Sequence, residues 1–148
     1  MPHAGLMDEK TLGPAEGLRQ RARLHIRGGK RRLRQGKISA GIVTLYDALE
    51  AAMRSYVDDP EKRGALDIRE GEDLNKEAIL YRLLVRSRVL DGKLDFYAFD
   101  RLTEKALNEE MPSFDYRELL TGIESVMTQL GIMPFDEDAL PPEDPKTF

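Results

Sequence analysis

The sequence predicts an all-α fold: a single bundle of about five helices, with a disordered N-terminal tail and an extended, acidic, proline-rich C-terminal tail. Three observations predict it. Ile38, Ile42, Leu45, Leu49, Met53 and Tyr56 are spaced 4, 3, 4, 4 and 3 residues apart, which is one face of a helix and not the alternation of a strand. Other apolar stretches, at 18–33, 74–85, 96–107 and 119–130, keep near-helical spacing. Between them stand Gly36, Asp58-Asp59-Pro60, Asp91-Gly92, Met111-Pro112 and Gly131, all turn or helix-ending signals.

The 148 residues suit one domain, long enough to bury a core without disulfides or metals. Its bounds are read as 14–133, with a flexible tail over 1–13 and the acidic tail over 134–148. A hydrophobic share of 41% against 34% charged residues excludes a wholly disordered or membrane-spanning chain. No run approaches the roughly 20 apolar residues of a transmembrane helix. MPHAGLMDEKTLGPAEG, residues 1–17, lacks a basic region followed by an apolar core, so it is not read as a secretory signal. Zero cysteines excludes disulfides, thiolate zinc sites and cysteine nucleophiles. The expected compartment is the cytoplasm.

Pro14 suits the first turn of a helix, because its missing amide has no intrahelical partner to lose. This first helix should run from about Ala15 to Gln35, with Leu18, Ala22, His25, Ile26, Gly29 and Leu33 at helical spacing. Gly28-Gly29 within it either kinks it or permits close approach of the next helix. Close approach is preferred, since an antiparallel turn at Gly36 sets Gly29 near Thr44 and Leu45. Ser39 is placed to cap the second helix, which ends near Val57. Its small residues Gly41, Ala48, Ala51 and Ala52 would let another backbone come close and mark the hairpin as a self-association surface.

Asp58–Asp73 reads as a long charged loop. The third helix starts near Leu74, capped by Asp73, and runs to about Arg88. It is apolar nearly all round, which predicts a central position. Asp95 caps the fourth helix, whose stripe is Phe96, Phe99, Leu102, Thr103, Ala106 and Leu107. Asp115, Glu118 and the pair Phe114–Leu119 predict a capping box and hydrophobic staple at the fifth, which Gly131 ends.

The run G-K-I-S-A-G-I-V-T-L-Y-D-A-L-E, Gly36 to Glu50, resembles the second-helix region of HEPN domains, small helical bundles that include ribonucleases and nucleotidyltransferase partners. It is also similar to a tetratricopeptide-type helix. With the preceding helix the likeness spans about residues 15–57, and both families imply a packed helical hairpin. Arg19 and His25 fit the R-x4-6-H pattern of HEPN ribonucleases. In that family the pair lies in a later helix, so the resemblance implies a non-catalytic member.

Charge is distributed unevenly behind the net −4. Residues 14–37 hold nine Lys/Arg against Glu16, residues 58–77 hold eight acids against four bases, and 136–148 hold five acids against Lys146. Arg19, Arg23, Arg27, Lys30, Arg31 and Arg34 form a cationic stripe on the first helix. A stripe of this kind can neutralise phosphates without reading bases, or it can be a face answered by the chain's own acids. Phe135, Leu140 and Phe148 are spaced apolar anchors in the tail, with the basic hairpin as the obvious groove for it and its carboxylates as answers to the arginines. No metal-ligand spacing, Ser-His-Asp order or phosphate-cradling loop is read, and no cofactor is expected. These observations point to a non-catalytic interaction or adaptor module with a protein partner or a second copy. The alternative is a HEPN-like RNA- or nucleotide-binding protein using the stripe, with a ribonuclease built on Arg19 and His25 as a third reading.

Overall fold

The computed structural model describes residues 13–148. These form six α-helices and, among the described residues, no strand: α1 (Pro14–Arg34), α2 (Ile38–Asp58), the one-turn α3 (Pro60–Arg63), α4 (Glu77–Arg86), α5 (Phe96–Asn108) and α6 (Arg117–Gln129). Two short 3-10 turns, Glu137–Ala139 and Pro145–Thr147, follow. The all-helical bundle is as expected. The disordered tail predicted for 1–13 lies almost wholly outside the described residues.

The α1–α2 hairpin turns at Gly36, whose φ is 80°. Lys37 N–H donates to Arg32 C=O at 2.9 Å and Gly36 N–H to Leu33 C=O at 3.1 Å, so the last carbonyls of α1 are satisfied by a glycine-dependent closure. The close approach predicted at Gly29 is present. A Cβ there would lie 2.9 Å from Leu45 Cδ2 and 3.5 Å from Gly41 O. Gly41 returns the contact, since its Cβ would lie 2.7 Å from Leu33 Cδ2 and 3.2 Å from Gly29 O. The small residues of α2 are thus buried within one chain: Gly41, Ala48, Ala51 and Ala52 all face the interior. They are not an exposed self-association surface.

Centrality falls to α2 and not to the helix expected to hold it. Ile42, Leu45, Ala48, Leu49, Ala52 and Met53 have no solvent exposure, and α1, α3, α4, α5 and α6 all pack on α2. By contrast, α4 buries Leu80, Tyr81, Leu83 and Leu84 and leaves Ala78, Ile79 and Val85 half-buried. It also starts three residues late. The carbonyls of Leu74 and Asn75 accept from the Arg54 guanidinium at 3.3 and 2.7 Å, while the Asp73 side chain takes the Asn75 amide in a local turn. Those three residues therefore belong to the approach and not to the helix.

Residues 58–73 are more ordered than a bare loop. Asp59 caps α3 through the Glu61 amide, and Arg86 clamps the stretch beyond by donating to Asp67 O and to the Glu72 carboxylate at 2.6 Å. Asp95 caps α5 as expected, accepting from Ala98 N–H at 3.0 Å. Ser39 does not cap α2. Its buried hydroxyl donates to Glu109 C=O at 2.6 Å, tying the start of α2 to the end of α5. At α6 the N-cap is Tyr116 and not Asp115, which accepts from the Arg117 amide and guanidinium instead. That pairing holds the Asp115 carboxyl down at about 2. Gly131 ends α6 with φ 77°, and Ile132 N–H returns to Met127 C=O at 2.9 Å.

Candidate functional site

The helix that carries the cationic stripe is sandwiched. At 100° per residue, Ala22, Ile26, Gly29 and Leu33 point one way, onto α2, whereas Leu24, Arg27, Gly28 and Arg31 point nearly opposite. The second face is covered too: Leu24 is 4% exposed and Arg31 is 8% exposed. The cover is the C-terminal segment. The acidic tail lies along α1 as extended backbone interrupted by two 3-10 turns, which Asp136 and Asp144 cap through the amides of Asp138 and Lys146.

Arg27 holds the first half of this segment through backbone. Its Nη2 donates to Pro141 O at 2.6 Å and its Nη1 to Glu137 O at 3.4 Å. Proline carbonyls suit this role, because the residue has an acceptor and no amide donor. Arg31 holds the second half. Its Nε lies 3.1 Å from both oxygens of Glu143, Nη2 donates to Thr147 Oγ1 at 3.3 Å, and Nη1 to Gln35 Oε1 at 3.0 Å. The same guanidinium sits 4.6 Å from the centre of the Phe148 ring, within cation–π range.

Gly28 makes the cradle possible. A Cβ there would stand 2.8 Å from Arg32 Nη1 and 3.5 Å from Glu143 Oε1, so arginine and carboxylate meet over bare backbone. Arg32 has its pKa lowered by burial first and by neighbouring Arg31 second, with Glu143 opposing both. One carboxylate therefore lies among two adjacent, partly desolvated guanidinium groups.

The other stripe residues are engaged elsewhere. Arg19 pairs with Glu16 and, at 3.4 Å, with Asp59; Arg23 reaches Glu16 at 3.3 Å; Lys30 reaches Glu124 at 3.4 Å. Arg34 is the one member of the six that is exposed. The predicted tail anchors divide three ways. Phe135 packs on the main core, Leu140 is buried, and Phe148 stacks on Arg31 while 53% exposed.

Arg19 and His25 are not brought together, being six residues and so about 120° apart around α1. His25 instead lines a cleft of about 250 Å³ with Leu18, Arg21, Asp47, Glu50 and Arg54. Desolvation, then Glu50, raises the Asp47 pKa there, and Arg21 opposes them. A larger concavity between α5 and α6, of about 640 Å³, is lined by Leu94, Phe99, Leu102 and Val126; two of its rim acids, Asp95 and Asp115, serve backbone amides. Among the described residues no three of His, Asp and Glu are placed to hold a metal ion, and no helix is long and apolar enough to cross a membrane.

Sequence reasoning placed the arginines and the tail but missed Gly28, Arg32, Glu143 and Thr147 as parts of one site. The available signal was the second α1 face, which Leu24 and Gly28 share with Arg27 and Arg31. No family model matches the chain, and neither does any curated protein or solved structure.

Proposed function

We propose that the chain is a non-catalytic interaction module whose recognition surface is the Arg27–Arg31 face of α1, built to receive an acidic segment of protein and not a nucleic acid. What carries the reading is the set of groups that a proline-bearing peptide brings to Arg31: two carboxylate oxygens, a hydroxyl and an aromatic ring, with Gln35 taking the remaining Nη1. A phosphate backbone would need a run of accessible cations that gain by releasing counterions. Here Arg19, Arg23, Lys30 and Arg31 already have carboxylate counterions in the chain itself.

The test is binding of a labelled, mixed-sequence single-stranded RNA at low and moderate salt, with Arg27→Glu/Arg34→Glu as the control. The expected result is no binding at low salt. Micromolar binding that weakens with salt and disappears in the control would replace this reading with the RNA-binding one.

A further inference from the structure

The C-terminal segment behaves as a ligand that the bundle does not need for its core. The main apolar cluster is complete by Phe135, and beyond Ile132 the only buried residue is Leu140. The hydrogen bonds and the cation–π contact of this segment with α1 converge on Arg27 and Arg31. The α1 face, in contrast, depends on its occupant. With the segment displaced, the Arg31 and Arg32 guanidinium groups would stand side by side around Gly28, two like charges with no anion between them. A carboxylate that settles between them is favoured, and it need not be this chain's own.

Resting on the reading that this face recognises protein, we propose that it is a receptor for an acidic, proline-containing segment of a partner protein, and that the chain's own residues 136–148 are the built-in competitor that keeps it closed. The contacts specify the partner's chemistry. A proline carbonyl faces Arg27, a glutamate two residues later faces Arg31 over Gly28, and an aromatic five residues further on covers the guanidinium. Arginine suits the Arg31 position because its rigid planar fork fixes a carboxylate in its plane while its face stacks on an aromatic ring.

The experiment uses the full chain and, as probe, a labelled synthetic peptide with the sequence of residues 136–148, followed by fluorescence anisotropy. Apparent affinity falls by the fraction of molecules whose face is open, so a tail seated in nine molecules of ten weakens binding about tenfold. Glu143→Ala/Phe148→Ala, which loosens the resident tail, is therefore expected to bind the peptide about tenfold more tightly than wild type. Adding Arg31→Ala should remove that gain. Should that triple variant lose its helical circular dichroism, Arg31→Lys on the same background serves instead and should also lose most of the gain. Equal affinity of wild type and double variant, or no binding to the double variant, would overturn the proposal. A concentration-dependent dimer that Arg31→Ala dissolves would also overturn it, by giving the face to a second copy's tail. Failure here leaves the earlier reading standing if RNA still does not bind, so the two fail separately.

Discussion

Gly41→Ala tests the hairpin contact on which the α1 face is mounted. The new Cβ would lie 2.7 and 2.8 Å from Leu33 Cδ2 and Cγ, and 3.2 Å from the Gly29 carbonyl oxygen. Leu33 is 2% exposed and has little room to turn, and the carbonyl belongs to a helix backbone. Alanine gains ~1 kcal/mol of helix propensity over glycine, while overpacking a filled core costs ~1–3 kcal/mol. With both a core side chain and a backbone atom in the way, the cost belongs at the top of that range, for a net loss of ~2 kcal/mol. At ~2–4 °C per kcal/mol for a chain of about this size, Tm should fall by ~4–8 °C in thermal denaturation followed at 222 nm. Gly28→Ala is the internal control. Its Cβ meets only the far end of Arg32 at 2.8 Å, with Glu143 at ordinary contact distance, so the flexible side chain can swing aside. Its Tm should not fall. A Gly41→Ala protein as stable as wild type, or a Gly28→Ala protein equally destabilised, would refute the idea that glycine serves close packing at the α1–α2 contact and a different purpose on the outer face of α1.

Ser39→Ala removes the donor to Glu109 C=O and should cost ~1 kcal/mol, read as a Tm lower by a few degrees with faster amide exchange at the end of α5. Tyr46, whose hydroxyl donates to Asp100 at 2.9 Å, has its pKa raised first by burial and then by that carboxylate; Tyr81 is raised likewise by burial, then by Asp91. Both folded values exceed the unfolded ~10, so their contribution to stability is complete below that pH and is lost as pH climbs beyond it. Absorbance titration at 295 nm should show part of the signal of the five tyrosines delayed beyond the ordinary range, with unfolding setting in above about pH 10; a titration complete within the ordinary range would sink the argument. Arg54→Ala should speed amide exchange across residues 74–80 and leave α1 unchanged, because Arg54 binds the carbonyls of Leu74 and Asn75 and the carboxylate of Glu77.

Where a signal in the chain was local, it was legible. Gly36, Gly131 and Asp95 act within a few residues of themselves, and each does what its chemistry predicts. The Gly29–Leu45 contact follows from one antiparallel turn and helical geometry alone. Ser39, Asp73 and Asp115 went otherwise because distant or competing groups outbid a local cap: Glu109 C=O takes the Ser39 hydroxyl, and the Arg117 side chain takes Asp115. The centre of the bundle was misread for a related reason. Apolar residues around α4 suggested a surrounded helix, but α2 is the one enclosed, and its small residues permit that enclosure. The candidate site was half legible. Charge complementarity between stripe and tail is in the composition, whereas the partnership of Arg27 with carbonyls depends on how two 3-10 turns lay 136–148 along α1.

A cationic helix in a chain of net charge −4 is open to two readings, and the difference lies in what neutralises it. A phosphate partner competes with mobile salt ions, whose release favours binding. On α1 the resident counterions are covalently attached: Glu16 three residues from Arg19, Asp59 just beyond the end of α2, Glu124 on α6 and Glu143 on the tail. Tethered groups act at effective concentrations that dilute ligands rarely reach, so a phosphate must displace them without the entropic return of freeing an ion to bulk. A competing peptide stands differently at one point only. It replaces the Arg27 carbonyl contacts, the Glu143 carboxylate and the Phe148 ring together and in register, so the groups it displaces are matched and none of the arginines is left buried without an anion. Under the proposal, that matching is what would favour a peptide over a polyphosphate at Arg31 even though both are negatively charged.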